Sequence, residues 1–126
     1  MGLFSKGDYS KKDIFNVLRE VKHDIIENNE YYGGMNRHIY QKATDDAVEH
    51  LDKYIVLDDD SFENKIKRYT AKSIYEQLLS SRSYISLMKR DYKGEHKETY
   101  DGAIDDIRKI INKYMLKYRG NEKFRP

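Results

Sequence analysis

The chemistry this chain could carry is concentrated at three histidine pairings and one acidic run. Glu20-x-x-His23 has the i,i+3 spacing of half a carboxylate-bridged di-metal site, which needs inward projection, a second copy and two further glutamates. Here the pair falls on a polar helix face and no second Glu-x-x-His exists, so no metal is expected. Asp46 and His50 stand at i,i+4 on the edge of an apolar stripe, a spacing for one hydrogen bond or two metal ligands. A satisfied boundary histidine is the reading taken. Asp58-Asp59-Asp60 lacks the further oxygen ligands and the glycine of a calcium loop, and reads as helix capping. Arg90 and His96 are the third pairing: a cation able to stabilise phosphate charge, and an imidazole able to move a proton.

The segment Arg90-Asp91-Tyr92-Lys93-Gly94-Glu95-His96 resembles the Arg-x(4–6)-His signature of HEPN ribonucleases, helical domains of about this size. The resemblance implies that Arg90 would hold phosphate charge and His96 would act on an RNA 2′-hydroxyl. It also implies a site built between two chains. Lys93-Gly94-Glu95 stands where that family usually has apolar residues and reads as a loop. Without the resemblance, Arg90 is a cation at a helix C-terminus and His96 a near-cap residue.

Other chemistries find no foothold. The chain has no Cys, which excludes disulfides, thiolate catalysis and cysteine-ligated metals. It shows no phosphate-binding glycine loop, dinucleotide fingerprint, zinc-protease helix or serine nucleophile elbow. No cofactor is expected. No apolar run reaches the roughly 18 residues of a membrane helix, and Met1–Lys6 has no apolar core of signal-peptide length. The expected location is cytoplasmic, with no membrane partner. Lys, Ile, Tyr and Asn supply 47 of the 126 residues, in keeping with an AT-rich bacterial or phage source.

The elements that must position these residues are helices. The one proline is the last residue, and glycines fall at boundaries such as Gly33-Gly34, Gly94 and Gly120. Ser10 can cap a helix over about 11–29 carrying Ile14, Leu18, Val21 and Ile25. Asn36 can cap a second, with Tyr40, Ala43, Ala47, Leu51 and Tyr54 on one stripe, ending near Leu57. A third starts after Ser61. Its apolar phase shifts between Tyr69 and Ala71, so the helix either breaks near Thr70 or is apolar on two sides. The fourth, about His96 to Tyr118, carries Tyr100, Ile104, Ile107, Ile111, Tyr114 and Tyr118 on one face. No internal repeat is read. The expectation is an all-α, compact bundle of four to five mostly antiparallel helices. It forms a single domain over 1–126, with a short flexible N-terminus and a polar C-terminal tail.

Charge is segregated beneath a net of +2. Residues 1–63 hold 8 basic and 14 acidic groups, and residues 64–126 hold 16 and 8. Twelve tyrosines add flat apolar bodies with polar tips. Tyr40, Tyr54, Tyr75, Tyr100, Tyr114 and Tyr118 fall on core stripes, whereas Tyr31, Tyr32, Tyr69, Tyr84 and Tyr92 fall off them and are interface candidates. The function expected is that of a non-enzymatic helical interaction protein, such as a regulator, inhibitor or assembly factor. Its partner-binding surface would be Tyr84, Leu87, Lys109, Lys113, Leu116 and Lys117. A protein partner is expected, a homodimer being one form of it. The alternatives are a HEPN-like ribonuclease using Arg90 and His96, and a nucleic-acid-binding accessory using the basic half and its interleaved tyrosines.

Overall fold

A computed structural model of the chain describes residues 7–55, 67–120 and 123–126. The run Asp58-Asp59-Asp60, the Ser61 cap and the end of the second helix near Leu57 lie outside the described residues. Four helices are described: α1 Lys11–Glu30, α2 Arg37–Ile55, α3 Ala71–Asp91 and α4 Lys97–Tyr118. No strand is present among the described residues, and no helix is long and apolar enough to cross a membrane.

Local sequence sets the helix starts. Ser10 Oγ accepts from the Asp13 N–H at 3.2 Å while the Ser10 N–H donates to the Asp13 carboxylate at 2.8 Å, a reciprocal capping box. Thr70 and Ser73 repeat the device at the start of α3. The apolar phase shift therefore marks a break at Thr70, the first of the two alternatives. Asn36 precedes α2 in a left-handed conformation, φ 57°, and His96 precedes α4 at φ 51°. Neither side chain caps its own helix by the serine route: the Asn36 amide instead donates to Thr99 Oγ1 at 3.3 Å.

These parallels extend along the chain, which is an internal duplication with an offset of 60 residues; the expectation of no repeat is corrected. Tyr9, Ile14, Leu18, Ile25, Tyr32, Gly34, Tyr40, Ala43, Asp45, Asp46 and Tyr54 recur as Tyr69, Ile74, Leu78, Ile85, Tyr92, Gly94, Tyr100, Ala103, Asp105, Asp106 and Tyr114. The identities are sparse and fall mostly at core, loop and cross-helix positions, with Lys12 and Lys72 and Lys53 and Lys113 as exposed exceptions.

Each half is a helical hairpin closed the same way. Tyr32 stacks on Tyr40 with ring centroids 3.8 Å apart and donates to the Met35 carbonyl at 2.7 Å. Tyr92 stacks on Tyr100 at 4.0 Å and donates to the Glu95 carbonyl at 2.5 Å. A Cβ at Gly34 or Gly94 would lie 2.4 or 2.6 Å from the hydroxyl of the loop tyrosine, so glycine is what lets each ring lie back over its loop. Tyr32 and Tyr92, expected as interface residues, are therefore internal fasteners. Within the hairpins the partners run in opposite directions: Asn28 with Tyr40 and Lys22 with Asp52 in the first, Lys89 with Asp105 and Arg82 with Asn112 in the second.

The hairpins face each other about a pseudo-two-fold axis. The Tyr40 hydroxyl donates to Asp106 at 2.7 Å and that of Tyr100 to Asp46 at 2.7 Å; exchanging the halves turns one bond into the other. Tyr9 and Tyr69 exchange backbone bonds at 3.0 and 2.7 Å, an antiparallel bridge that maps onto itself. Tyr69, too, is thus an internal contact rather than an interface residue. Ala43 and Ala103, both fully buried, allow α2 and α4 to cross closely. The core between the hairpins is built from Val21, Ile25, Leu51, Ile85, Ile104, Ile107 and Ile111, all fully buried.

Candidate functional site

The duplication produces two equivalent grooves. One, of about 550 Å³, lies between α2 and α3 and is lined by Asp46, Glu49, His50, Lys53, Tyr84, Leu87, Met88 and Arg90, among others. The other, about 290 Å³, lies between α4 and α1 and is lined by Asn28, Asp106, Lys109, Ile110 and Lys113. The offset of 60 maps the linings onto each other: Asp46 on Asp106, Lys53 on Lys113, His50 on Ile110, Met88 on Asn28. Each groove thus serves as the other's control for what a side chain at that place must do to keep the fold.

The outer ridges differ most. On α1 the matching positions are Asn16, Glu20, His23, Glu27 and Glu30, all exposed and polar, and Asp24, which is half-buried and accepts from the Tyr114 hydroxyl at 2.5 Å; Ile26 beside them is 37% exposed. At the same positions α3 has Glu76, Ser80, Ser83, Tyr84, Leu87 and Arg90. Tyr84 remains 51% exposed and Leu87 46%, so neither side chain is buried in the core.

His50 forms the floor beneath Tyr84. Its residue is only 5% exposed, its ring stacks on Tyr84 at 4.1 Å and 7°, and Tyr54 meets it edge-on at 5.3 Å. Burial, with Lys53 as the lesser cause, pushes its pKa down and favours the neutral imidazole. The expected bond from Asp46 is not made, because Asp46 accepts from Tyr100 across the pseudo-two-fold and lies 3.5 Å from Lys42. His50 Nε2 is buried without a hydrogen-bond partner among the described residues, which corrects the reading of a satisfied histidine. Its counterpart Ile110 needs no such bond. Within its own helix His50 has only Asp46 as a candidate partner; the offset to Ile110 and Asp24 is the signal that singles out His50 and Tyr84 together.

The expected partner-binding residues divide between places. Tyr84 and Leu87 line the α2–α3 groove, whereas Lys109 and Lys113 line its counterpart on α4. Lys117 lies over the Tyr114 ring at 4.6 Å, and Leu116 is 48% exposed but lines neither of these grooves. Arg90 reaches the α2–α3 groove and gives its Nε to Asp91 at 3.1 Å. His96 turns instead to His38, their rings 6.2 Å apart and edge-on, at the α2 N-terminus. Its left-handed backbone matches that of Asn36, so the position serves the hairpin in both halves. Glu20 and His23 are exposed on α1, and no cluster among the described residues has the ligands to hold a metal. Around Lys65 to Tyr69, the described part has Lys67 over the Tyr69 ring at 5.4 Å; Lys65 and Ile66 lie outside it.

Compared with known proteins, the chain matches no family model, no curated protein and no solved structure.

Proposed function

We propose that the protein is a non-enzymatic interaction module that docks a protein partner on the α2–α3 side of its duplicated fold. The observation that carries this reading is the replacement of Asp24 and Glu27 on α1 by half-exposed Tyr84 and Leu87 on α3. Glu27 is solvated at the place of Leu87, so Leu87 answers to something outside the monomer, and Tyr84, whose inner face covers the His50 ring, extends the same patch with its outer face. Covering such surface gains roughly 25 cal/mol per Å² of apolar area removed from water. A tyrosine and a leucine at the centre, with Arg90, Lys42, Lys53 and Glu49 around them, have the apolar-centre and polar-rim order of a recognition patch. The scaffold beneath is held by the cross-hairpin tyrosine bonds, so docking needs little ordering of the module.

The test is to give α3 its own counterpart residues. A Tyr84→Asp, Leu87→Glu chain carries the residues that stand at the equivalent places of α1, and circular dichroism checks that it is folded with the His50 ring uncovered. Immobilised beside wild type in extract of the native host, it should lose a retained protein that wild type captures. Identical retained sets would overturn the proposal.

A further inference from the structure

We infer that the partner seated on this face is a second copy of the chain, with α3 packed antiparallel on α3 about Ser83; this rests on the interaction reading above and names its occupant. Glu76, Ser80, Ser83, Leu87 and Arg90 are exposed and recur at 4-3-4-3 spacing, the seam of a helix pair. The described chain sets no helix of its own over this seam.

Register follows from charge and size. Ser83 is midway between Glu76 and Arg90, so an antiparallel pair centred there sets Glu76 of one copy against Arg90 of the other, and does so twice. Leu87 then falls over Ser80 of the other copy, large against small, while the two Ser83 residues at the centre let the helices approach. Tyr84 flanks the seam and roofs His50 on each copy. A parallel pair would instead set Glu76 against Glu76 and Arg90 against Arg90, which like charge opposes.

The first half again acts as the control. The same positions on α1 are Asn16, Glu20, His23, Glu27 and Glu30. An antiparallel pair about His23 would crowd Glu20 of one copy against Glu27 of the other and leave Glu30 without a cation. Only one of the two equivalent ridges accepts a copy of itself, so the assembly closes as a dimer rather than growing. From residue 76 to 90 the seam is about 21 Å long at 1.5 Å per residue. A single helix pair of four turns covers less surface than the ~1,600 Å² of a standard interface, so the dimer is reversible.

Sedimentation equilibrium of the full chain from about 1 to 500 µM tests this, with circular dichroism confirming that each variant is folded. Wild type should show a monomer–dimer equilibrium. Leu87→Glu, which installs the residue of the first half, should weaken it by about tenfold or more. Glu76→Arg and Arg90→Glu should each weaken it, and the chain carrying both should return to within about twofold of wild type, because the swapped charges meet again. A wild type that stays monomeric, a dimer indifferent to Leu87→Glu, or a double variant no better than the singles would each overturn the inference. A monomeric chain that still captures another protein through Tyr84 and Leu87 would leave the interaction reading standing without it; a monomer with no capture would remove both.

Discussion

The Tyr40 hydroxyl donates to the Asp106 carboxylate across the crossing of α2 and α4, and the bond is repeated in reverse by Tyr100 and Asp46. Hydrogen bonds to a charged acceptor contribute about 1.5–3 kcal/mol, less where water reaches the carboxylate. Tyr100→Phe should therefore cost about 1–2 kcal/mol. Tyr40→Phe should cost more, because Tyr40 also accepts from the Asn28 amide at 2.7 Å, which would lose its acceptor. Urea unfolding of the two variants measures the difference; equal costs would contradict it.

Alkaline pH should dismantle the same arrangement. Burial first, and the carboxylate beside each hydroxyl second, push Tyr40, Tyr100 and Tyr114 well above the ordinary tyrosine value; burial does the same for Tyr118. A group raised in the folded state keeps its proton where the unfolded chain has lost it. Its contribution is whole below about pH 10 and is lost as pH rises beyond that. Absorbance at 295 nm should show a late-ionising group of tyrosines that appears together with loss of helix by circular dichroism. Complete ionisation of all 12 tyrosines while the helix signal holds would contradict this.

His50 should give the opposite slope in acid. Its pKa is pushed down in the folded state, so the unfolded chain binds the proton first. Stability is whole above the unfolded value near 6.5 and falls as pH drops through the lower folded value. His50→Phe keeps a ring under Tyr84 but removes the proton, and should flatten the change in Tm between pH 7.5 and pH 5 relative to wild type. An unchanged slope would mean that other groups carry it.

How much of this was legible in the sequence differs by level. The helices were, because Ile14, Leu18, Ile25 and Ile104, Ile107, Ile111 keep helical phase and Ser10 and Thr70 have cap chemistry. The duplication was not, because its identities are spread thinly and the divergent positions dominate by eye: Asp24 against Tyr84, Glu27 against Leu87, His50 against Ile110. Tyr32, Tyr69 and Tyr92 fall off the helical stripes and so read as surface, yet they stack on neighbouring rings or pair backbones at the hairpin ends. Tyr84 and Leu87 were legible as exposed apolar residues on α3. Their association with His50 was not, since it depends on how α2 and α3 from different halves meet.

Loop closure offers a further check. Gly94→Ala would place a methyl carbon 2.6 Å from the Tyr92 hydroxyl and push the ring off Tyr100. We expect a loss of about 1 kcal/mol or more, measured by thermal unfolding. Gly33→Ala, which has open space around its Cβ, should cost less. A larger cost at Gly33 would contradict the role given to the stacked tyrosines.

On the proposed reading, the α3 ridge is a contact surface and the α1 ridge is solvated. Site-specific photo-cross-linking in cells tests it most directly, with a benzophenone amino acid at Tyr84 in one chain and at Glu27 in another. A covalent adduct to a protein chain is expected from position 84 and none from position 27, an adduct of twice the chain mass identifying the second copy. No adduct from position 84, or equal adducts from both ridges, would contradict it.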